Sequence, residues 1–397
     1  MKLADIVDVF IAGDWGNESL SNDTPNAVFC IRGADIMSIR DHKYTDIPKR
    51  YISKRAKETK LLKVGDLVIE KSGGSPIQST GRITYISEDL IQAKKELVCS
   101  NFSIGIRVKS RWNPLYVYYY WQYIYNLGVF FNFESKTSGI KNLRLDSALE
   151  AIAIEEIPLE VQNQIVATLS SYDHKIALNR AINHNLAAMA KQLYDYWFVQ
   201  FDFPNQDGKP YKSSRGKMVW NEKLKREIPE GWEVISFNNL FNLGNGKATP
   251  NSVGNVPAYG GNGIIKYVKE SNFCSCFIIG RVGANCGSLH YSPINCWVSD
   301  NAIAAIPKNQ DNASYLLYSL KLYDLAQNKG GPSQPLITHN ELKKLYFLYS
   351  NEHVIRFCNI INKQLNLYFD KVDEIETLTK QRDELLPLLM NGQVTIG

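Results

Sequence analysis

Histidines, paired cysteines and runs of aliphatic residues are scarce in this sequence, and each scarcity excludes a class of protein. The 397 residues include six histidines that do not cluster. The seven cysteines contain no Cys-x-x-Cys pair, and an odd number without regular spacing is typical of reduced thiols. A disulfide framework and a zinc finger are therefore not expected. The sequence predicts a cytoplasmic protein without a metal site.

Neither the N-terminus nor the one long uncharged segment has the features of a secretion signal or a membrane span. Asp5 and Asp8 interrupt the first ten residues, so the apolar core of a signal peptide is missing. Residues 115–133 carry no charge, but they are rich in Tyr, Trp and Phe, and they are broken by Gln122 and Gly128. This composition favours a buried or half-buried helix in a globular domain.

Charge of either sign is modest. The net charge is +5, and the apolar (44%) and charged (21%) fractions are ordinary for a globular protein. A mildly positive chain permits an anionic partner without requiring one. The length allows two or three domains with their own cores.

The sequence aligns with itself, because similar segments follow one another in the same order in both halves of the chain. Both halves contain a short helical segment, an apolar strand ending in a glycine loop with one basic residue, and an aromatic helix. The matches are residues 3–6 with 237–240, 66–73 with 276–283, 98–101 with 298–301, and 116–119 with 315–318. The chain therefore contains two copies of one repeated unit.

Each copy ends in a long stretch whose apolar residues are spaced alternately four and three apart, which is the spacing of coiled coils. Helices of some thirty residues span about 50 Å, and such long stripes are expected to pack on each other in antiparallel orientation. Packing of each helix on its own domain is the alternative. Asn179 and Asn183 interrupt the first stripe and are expected to fix its register. The predicted packing residues are Ile165, Leu169, Ile176, Leu186, Leu193, Ile361, Leu365, Val372, Ile375 and Leu386.

Several segments resemble the specificity (S) subunits of type I restriction–modification systems. Ile-Pro-Glu-Gly-Trp-Glu-Val at 228–234 follows the long helix and resembles the family's central region. Residues 157–165 are similar to the start of its conserved helices, and residues 385–392 resemble its C-terminal signature. The resemblance covers the whole chain. One departure is that the first copy begins at Leu3 without an Ile-Pro-x-Gly-Trp block.

The resemblance implies an α+β fold in which two mixed α/β target-recognition domains are joined by two long antiparallel coiled-coil helices, as a pseudo-twofold internal repeat. The expected parts are recognition domains at 1–155 and 229–349, a central conserved helix at 156–200, a connector at 201–228 and a C-terminal conserved helix at 350–397. Such a chain is not an enzyme. It recognises a bipartite, interrupted site in double-stranded DNA, and its helix pair sets the half-site spacing.

The resemblance also implies partners and cofactors. Two methyltransferase (M) subunits are expected to dock on the chain, and two endonuclease (R) subunits are possible additions. The chain itself is expected to bind no cofactor, because S-adenosylmethionine, ATP and Mg belong to the partner subunits. No membrane partner is expected.

The residues themselves give a physical case for DNA. Basic residues concentrate at 49–63, and Lys49, Arg50, Lys54 and Arg55 are expected to neutralise phosphates, with a solvated surface as the alternative. Glycine-containing loops are expected to approach base edges, with turns of purely structural role as the alternative. The loop candidates are Lys71, Ser72, Gly73, Gly74, Tyr259, Asn262, Arg281 and Asn285.

Two rival functions remain at this point. Asn113-Pro114-Leu115-Tyr116 is close to the Asn-Pro-Pro-Tyr motif of adenine methyltransferases, which suggests a stand-alone DNA adenine methyltransferase. Its third residue differs from the motif, and no glycine-rich motif suited to S-adenosylmethionine accompanies it. The second rival is a coiled-coil scaffold that does not bind DNA.

Overall fold

The computed structural model describes residues 1–73, 78–137, 140–323, 325 and 336–394. The chain divides into two compact units, unit 1 (Met1–Arg180 with Asp373–Gly397) and unit 2 (Ala181–Val372). The division passes through both long helices, so each unit contains a part of each of them.

Unit 1 is a mixed α/β unit whose main sheet has four antiparallel strands. Its strands are β1 (Val7–Ala12), β2 (Asn26–Ile31), β3 (Lys49–Ile52), β4 (Leu67–Glu70), β5 (Ser72–Gly73), β6 (Ile83–Tyr85), β7 (Leu97–Cys99), β8 (Ser103–Val108), β9 (Glu134–Thr137) and β10 (Ile140–Leu143). Its helices are α1 (Leu3–Ile6), α2 (Asp35–Arg40), α3 (Lys54–Lys60), α4 (Glu88–Lys94), α5 (Pro114–Asn126), α6 (Leu145–Ala151) and the first part of α7 (Leu159–Tyr194). The sheet orders are β1-β8-β4-β6, β3-β2-β7 and β5-β10-β9.

The uncharged aromatic segment forms α5, which is buried in unit 1 as predicted. The side chain of Asn113 caps the helix by accepting the N–H of Leu115 at 2.9 Å, and Pro114 fits the first turn because its missing N–H needs no partner there. Trp121 is buried and donates its indole N–H to the carbonyl of Gly81 at 2.7 Å. Among the described residues, no helix is long and apolar enough to cross a membrane.

Unit 2 repeats this architecture with a larger main sheet. Its strands are β11 (Met218–Asn221), β12 (Arg226–Pro229), β13 (Glu233–Ser236), β14 (Phe241–Asn245), β15 (Val256–Gly260), β16 (Gly263–Val268), β17 (Phe273–Gly280), β18 (Leu289–Val298), β19 (Ala302–Pro307) and β20 (Tyr346–Tyr349). Its helices are α8 (Phe237–Leu240), α9 (Ala313–Leu322), α10 (His339–Lys343) and the first part of α11 (Asn351–Met390). The sheet orders are β14-β19-β17-β18-β15-β16, β13-β20 and β11-β12.

The internal repeat is confirmed by strand order and register. The order β1-β8-β4-β6 in unit 1 corresponds to β14-β19-β17-β18 in unit 2. Ile69 pairs with Ile104 in unit 1, and Ile279 pairs with Ile303 at the same place in unit 2. The predicted matches of residues 3–6 and 66–73 with the second copy are therefore those of the structure.

One predicted match is wrong by a single residue. The N–H of Asp14 donates to the carbonyl of Cys99 at 2.7 Å, and in unit 2 the N–H of Lys247 donates to the carbonyl of Val298 at 3.0 Å. Cys99, and not Val98, thus corresponds to Val298. The sequence alignment paired Val98 with Val298 because both are valine. The register of the strands differs from that alignment, since a slip by one residue would turn every side chain to the other face of its sheet.

Segments of the two long helices contact each other within each unit, and in unit 1 they run antiparallel. In unit 1, Asp173 of α7 forms an ion pair with Arg382 of α11 at 2.6 Å, and Lys175 forms one with Glu374 at 2.8 Å. In unit 2, the ring of Tyr194 lies 5.8 Å from that of Phe357. The sequence order of these contacts, ascending in α7 and descending in α11, establishes the antiparallel direction in unit 1.

The predicted packing residues of the helices differ in burial. Val372 is 38% exposed, whereas Leu378, which lies off the predicted stripe, is buried. A straight α-helix drifts by about 20° per heptad from a strict 3.5-residue repeat, so a long stripe extrapolated at that spacing leaves the packed face. Ile165, Leu169, Ile176, Ile361 and Leu386 are buried, and Leu186, Leu193, Leu365 and Ile375 are half-buried.

Candidate nucleic-acid interface

Lys71 and Arg281 occupy equivalent positions, one in each unit. The N–H of Lys71 donates to the carbonyl of Phe102 at 2.8 Å, and the N–H of Arg281 donates to the carbonyl of Asn301 at 2.9 Å. Each residue directly follows a buried strand, β4 or β17, so the backbone that carries it is fixed by the sheet. Two basic side chains are thus held at the same edge of two related sheets, which is an arrangement suited to anionic ligands.

A buried ion pair anchors the loop of Lys71 in unit 1. The carboxylate of Glu70 is 2% exposed, and the guanidinium of Arg82 donates to it at 2.5 and 2.9 Å. This hydrogen bonding raises the pKa of Arg82. A side chain on Gly73 would meet the same carboxylate, because a Cβ there would lie 2.4 Å from Glu70 Oε1. The predicted residue Gly74 lies outside the described residues.

Ser72, the second loop candidate of unit 1, is already engaged within the protein. Its hydroxyl donates to Oδ1 of Asn142 at 2.5 Å. Its N–H shares the carbonyl of Phe102 with Lys71, at 3.1 Å. Ser72 therefore stiffens the loop, and contact of its hydroxyl with another molecule would require that the bond to Asn142 be exchanged.

The basic cluster of residues 49–63 separates into exposed and engaged side chains. Lys49 in β3 is exposed, as are Lys54 and Arg55 on α3. Arg50 is different: its side chain is only 12% exposed, it pairs with Glu18 at 2.8 Å, and its guanidinium lies 4.1 Å from the ring centre of Trp15. Sequence spacing could not separate Arg50 from its neighbours, because Trp15 and Glu18 lie more than thirty residues away.

The two candidate loops of unit 2 are brought together. The carbonyl of Gly261 accepts hydrogen bonds from the hydroxyl of Ser288 and, at 3.3 Å, from Nε2 of His290. A Cβ on Gly261 would lie 3.3 Å from the Cβ of Asn285, which is a tight contact, so the lack of a side chain at Gly261 eases this approach. Asn262 and Asn285 are exposed, and Tyr259 is half-buried. All four predicted residues of unit 2 therefore lie in or beside one loop cluster.

Arg281 completes this cluster with a positive charge. Its side chain is half-buried and makes no ion pair with the residues that the structure describes. Burial, together with the charges of Lys343 and Arg281, lowers the pKa of His339. His339 is therefore neutral near pH 7, and it does not add a third cation to this edge.

Two exposed residues at the same sheet edges were not predicted from the sequence. Phe102 and Asn301 occupy the turns that precede β8 and β19, and both side chains point into solvent. Neither turn has a glycine, a basic residue or a motif of its own. The only signal in the sequence was the repeat, which placed Asn301 opposite Asn101.

The methyltransferase-like segment is engaged in the structure of unit 1. Besides capping α5, Asn113 donates its side-chain amide to Oδ1 of Asn163 at 2.7 Å. Its N–H donates to the side chain of Gln162 at 2.8 Å. An asparagine with its amide and carbonyl both occupied is a structural cap, which disfavours the stand-alone adenine methyltransferase.

Comparison with known families identifies this architecture. The family described as the type I restriction modification DNA specificity domain matches residues 1–188 and 229–381. The chain belongs to this family. The two matches of the specificity domain correspond to the two copies of the repeat, and each extends into a long helix, α7 or α11. The matched family is one of DNA specificity, not of catalysis.

Two similar proteins are named specificity subunits. The chain is 22% identical over 281 residues to the type I restriction enzyme MjaIX specificity subunit of Methanocaldococcus jannaschii, covering 63% of this chain and 62% of the relative. It is 24% identical over 344 residues to the HindI specificity subunit of Haemophilus influenzae, covering 66% and 73%. The chain thus aligns with less than two thirds of the first relative's length.

The fold of the specificity domains has a counterpart among solved structures. The S subunit of a type I restriction–modification system from M. genitalium superposes with a TM-score of 0.62, at 17% sequence identity. The superposition covers 98% of this chain and 95% of that one. At this identity the likeness concerns the fold.

Proposed function

We propose that the chain is the DNA specificity subunit of a type I restriction–modification complex and recognises a bipartite, interrupted DNA site. Residues 1–155 and 229–349 each recognise one half-site, the helices within 156–200 and 350–397 set the distance between half-sites, and 201–228 connects the copies. The observation that carries the proposal is the equivalence of Lys71 and Arg281, because one anchored basic position appears once in each copy.

The exposed charges support a division of labour on DNA. Lys49, Lys54 and Arg55 are exposed and can neutralise phosphates, which orients a protein on the duplex without reading its sequence. Lys71, Arg281, Asn262 and Asn285 carry donors of the kind that recognise guanine and adenine edges in the major groove. The two loop clusters differ in sequence, so the two half-sites are expected to differ.

The long helices are the proposed docking surface for methyltransferase subunits. Leu178 in unit 1 and Met189, Ile360 and Leu367 in unit 2 are large apolar side chains of these helices that are exposed in the chain alone. We propose two methyltransferase subunits per chain and, where present, two endonuclease subunits. S-adenosylmethionine, ATP and Mg would be bound by these partners, and the complex would work in the cytoplasm.

Selection from random DNA tests the proposal. The chain, in complex with its methyltransferase partner, is equilibrated with a pool of random duplexes, and the bound fraction is sequenced. We expect an interrupted motif with two half-sites. A single contiguous motif or an absence of enrichment would contradict the two-domain proposal.

A pair of variants separates DNA recognition from a scaffold function. Lys71→Ala and Arg281→Ala are expected to lose preference in different half-sites while the complex still assembles. Retention on DNA that is unchanged in both variants, with the same motif, would favour the scaffold that does not bind DNA.

A further inference from the structure

The turns that precede β8 and β19 are built alike in the two units. In unit 1 the N–H of Ser103 donates to the carbonyl of Ser100 at 2.9 Å, and in unit 2 the N–H of Ala302 donates to the carbonyl of Ser299 at 3.0 Å. Both are therefore tight turns between consecutive strands, closed by the same hydrogen bond. The two turns differ mainly in the side chain that is exposed at the tip, which is Phe102 in unit 1 and Asn301 in unit 2.

Each turn also packs against the glycine that directly follows the first strand of its sheet, Gly13 after β1 and Gly246 after β14. A Cβ on Gly13 would lie 2.0 Å from the carbonyl oxygen of Ser100, and one on Gly246 would lie 1.8 Å from that of Ser299. Real side chains do not approach backbone this closely, so the glycines are required for the backbone contact. The turns are thus fixed against the sheet, and the side chains at their tips start from a defined position.

The structural register places Phe102 opposite Asn301. The carbonyl of Phe102 accepts a hydrogen bond from the N–H of Lys71, and the carbonyl of Asn301 accepts one from the N–H of Arg281. Alignment of the sequence alone had placed Asn101 there. The corrected pairing shows an aromatic ring beside the lysine in unit 1 and a carboxamide beside the arginine in unit 2.

The two tip residues are exposed without a visible structural role. Phe102 is 58% exposed and belongs to none of the hydrophobic clusters of unit 1. Asn301 is exposed, and its carboxamide makes no hydrogen bond with the residues that the structure describes. Both exposed side chains lie next to the basic residues Lys71 and Arg281, so a ligand bound by these basic residues would also meet Phe102 and Asn301.

We propose that Phe102 and Asn301 are specificity-determining residues that each recognise one base pair, in different half-sites. The ring of Phe102 packs against the 5-methyl group of a thymine, and the carboxamide of Asn301 makes two hydrogen bonds with the N6 and N7 edge of an adenine. Their neighbours Lys71 and Arg281 contact the adjacent position. This inference rests on the proposed function, since it assigns individual bases within the half-sites.

Base analogues test the two contacts in the complete complex with the methyltransferase partner. Each thymine of the selected half-sites is replaced in turn by deoxyuridine, which lacks only the methyl group. For the unchanged chain we expect affinity to fall about fourfold at one thymine, the value of one buried methyl group. Phe102→Ala is expected to bind the thymine and deoxyuridine duplexes equally.

The second contact is tested with purine in place of each adenine, which removes the N6 amino group. The unchanged chain is expected to lose about fivefold or more in affinity at one adenine, and Asn301→Ala is expected to show no difference between the two bases. The half-site read by the other unit serves as the internal control, because its motif is retained only if the variant is folded and assembled.

Trp220→Ala is the matched control for exposure, because Trp220 is also 58% exposed but lies in the connector hairpin. It is expected to leave both half-sites and both analogue responses unchanged. The unchanged chain could select a bipartite motif while Phe102→Ala and Asn301→Ala respond to the base analogues as the unchanged chain does. That result would overturn this inference and leave the proposed function standing. Absence of any bipartite motif with the unchanged chain overturns both.

Discussion

At the scale of single residues, the buried ion pair of Glu70 and Arg82 holds the strand end from which Lys71 projects. Arg82→Met would leave a buried carboxylate without its partner, so we expect the free energy of unfolding to fall by about 3 kcal/mol in urea denaturation. The control is Glu222→Ala, which breaks an exposed pair with Lys225 and is expected to cost less than about 1 kcal/mol. Equal losses in the two variants would show that burial of Glu70 is unimportant.

The basic cluster gives a second prediction at this scale, since its members have different surroundings. Lys54 is exposed, and Lys54→Gln should lower the slope of log K against log salt by about 1 without changing stability. Arg50 packs on Trp15 and pairs with Glu18, so Arg50→Gln should lower the stability of unit 1 instead. Salt titration of DNA binding and urea denaturation of both variants check this contrast. If the slope of log K against log salt changed in Arg50→Gln and not in Lys54→Gln, Arg50 would be the phosphate contact and Lys54 would not.

At the scale of elements, local pattern was enough for some features and insufficient for others. Helix α5 could be predicted because residues 115–133 carry no charge and are rich in aromatic side chains, which favours a buried or half-buried helix. The burial of Arg50 and the correspondence of Phe102 with Asn301 could not be predicted. Both depend on contacts between residues far apart in sequence, and no local signal encodes them.

The long helices show the same limit. Spacing alone placed the apolar stripes on α7 and α11, and much of the predicted stripe is buried. Spacing could not predict the polar contact between the helices of unit 1, where Asp173 accepts hydrogen bonds from the hydroxyl of Tyr119 and from Arg382, both at 2.6 Å. The charge of Arg382 on α11 is accommodated by this carboxylate from the other helix.

This seam pair leads to a prediction for the helices as elements. A double-mutant cycle of Asp173→Asn and Arg382→Met is expected to give a coupling energy of about 2 kcal/mol, since Arg382 is largely buried. The cycle of Lys175→Met and Glu374→Gln, whose pair is more exposed, is expected to give less than about 1 kcal/mol. Urea denaturation of the unchanged chain, the four single variants and the two double variants measures both values. Similar coupling in the two cycles would mean that the Asp173 pair does not fasten the helices.

At the scale of the whole molecule, the proposed function implies that the length of the helix pair sets the distance between the half-sites. Four residues inserted after Arg180 in α7 and after Val372 in α11, the two points where the units divide, would lengthen both helices by about 6 Å. Because base pairs are spaced by 3.4 Å, we expect the gap in the selected motif to grow by about two base pairs while both half-sites keep their bases. Insertion into α7 alone mismatches the helices and should abolish selection of a bipartite site. A gap of unchanged length in the double insertion, or a change of bases within a half-site, would mean that the recognition domains and not the helices determine the spacing.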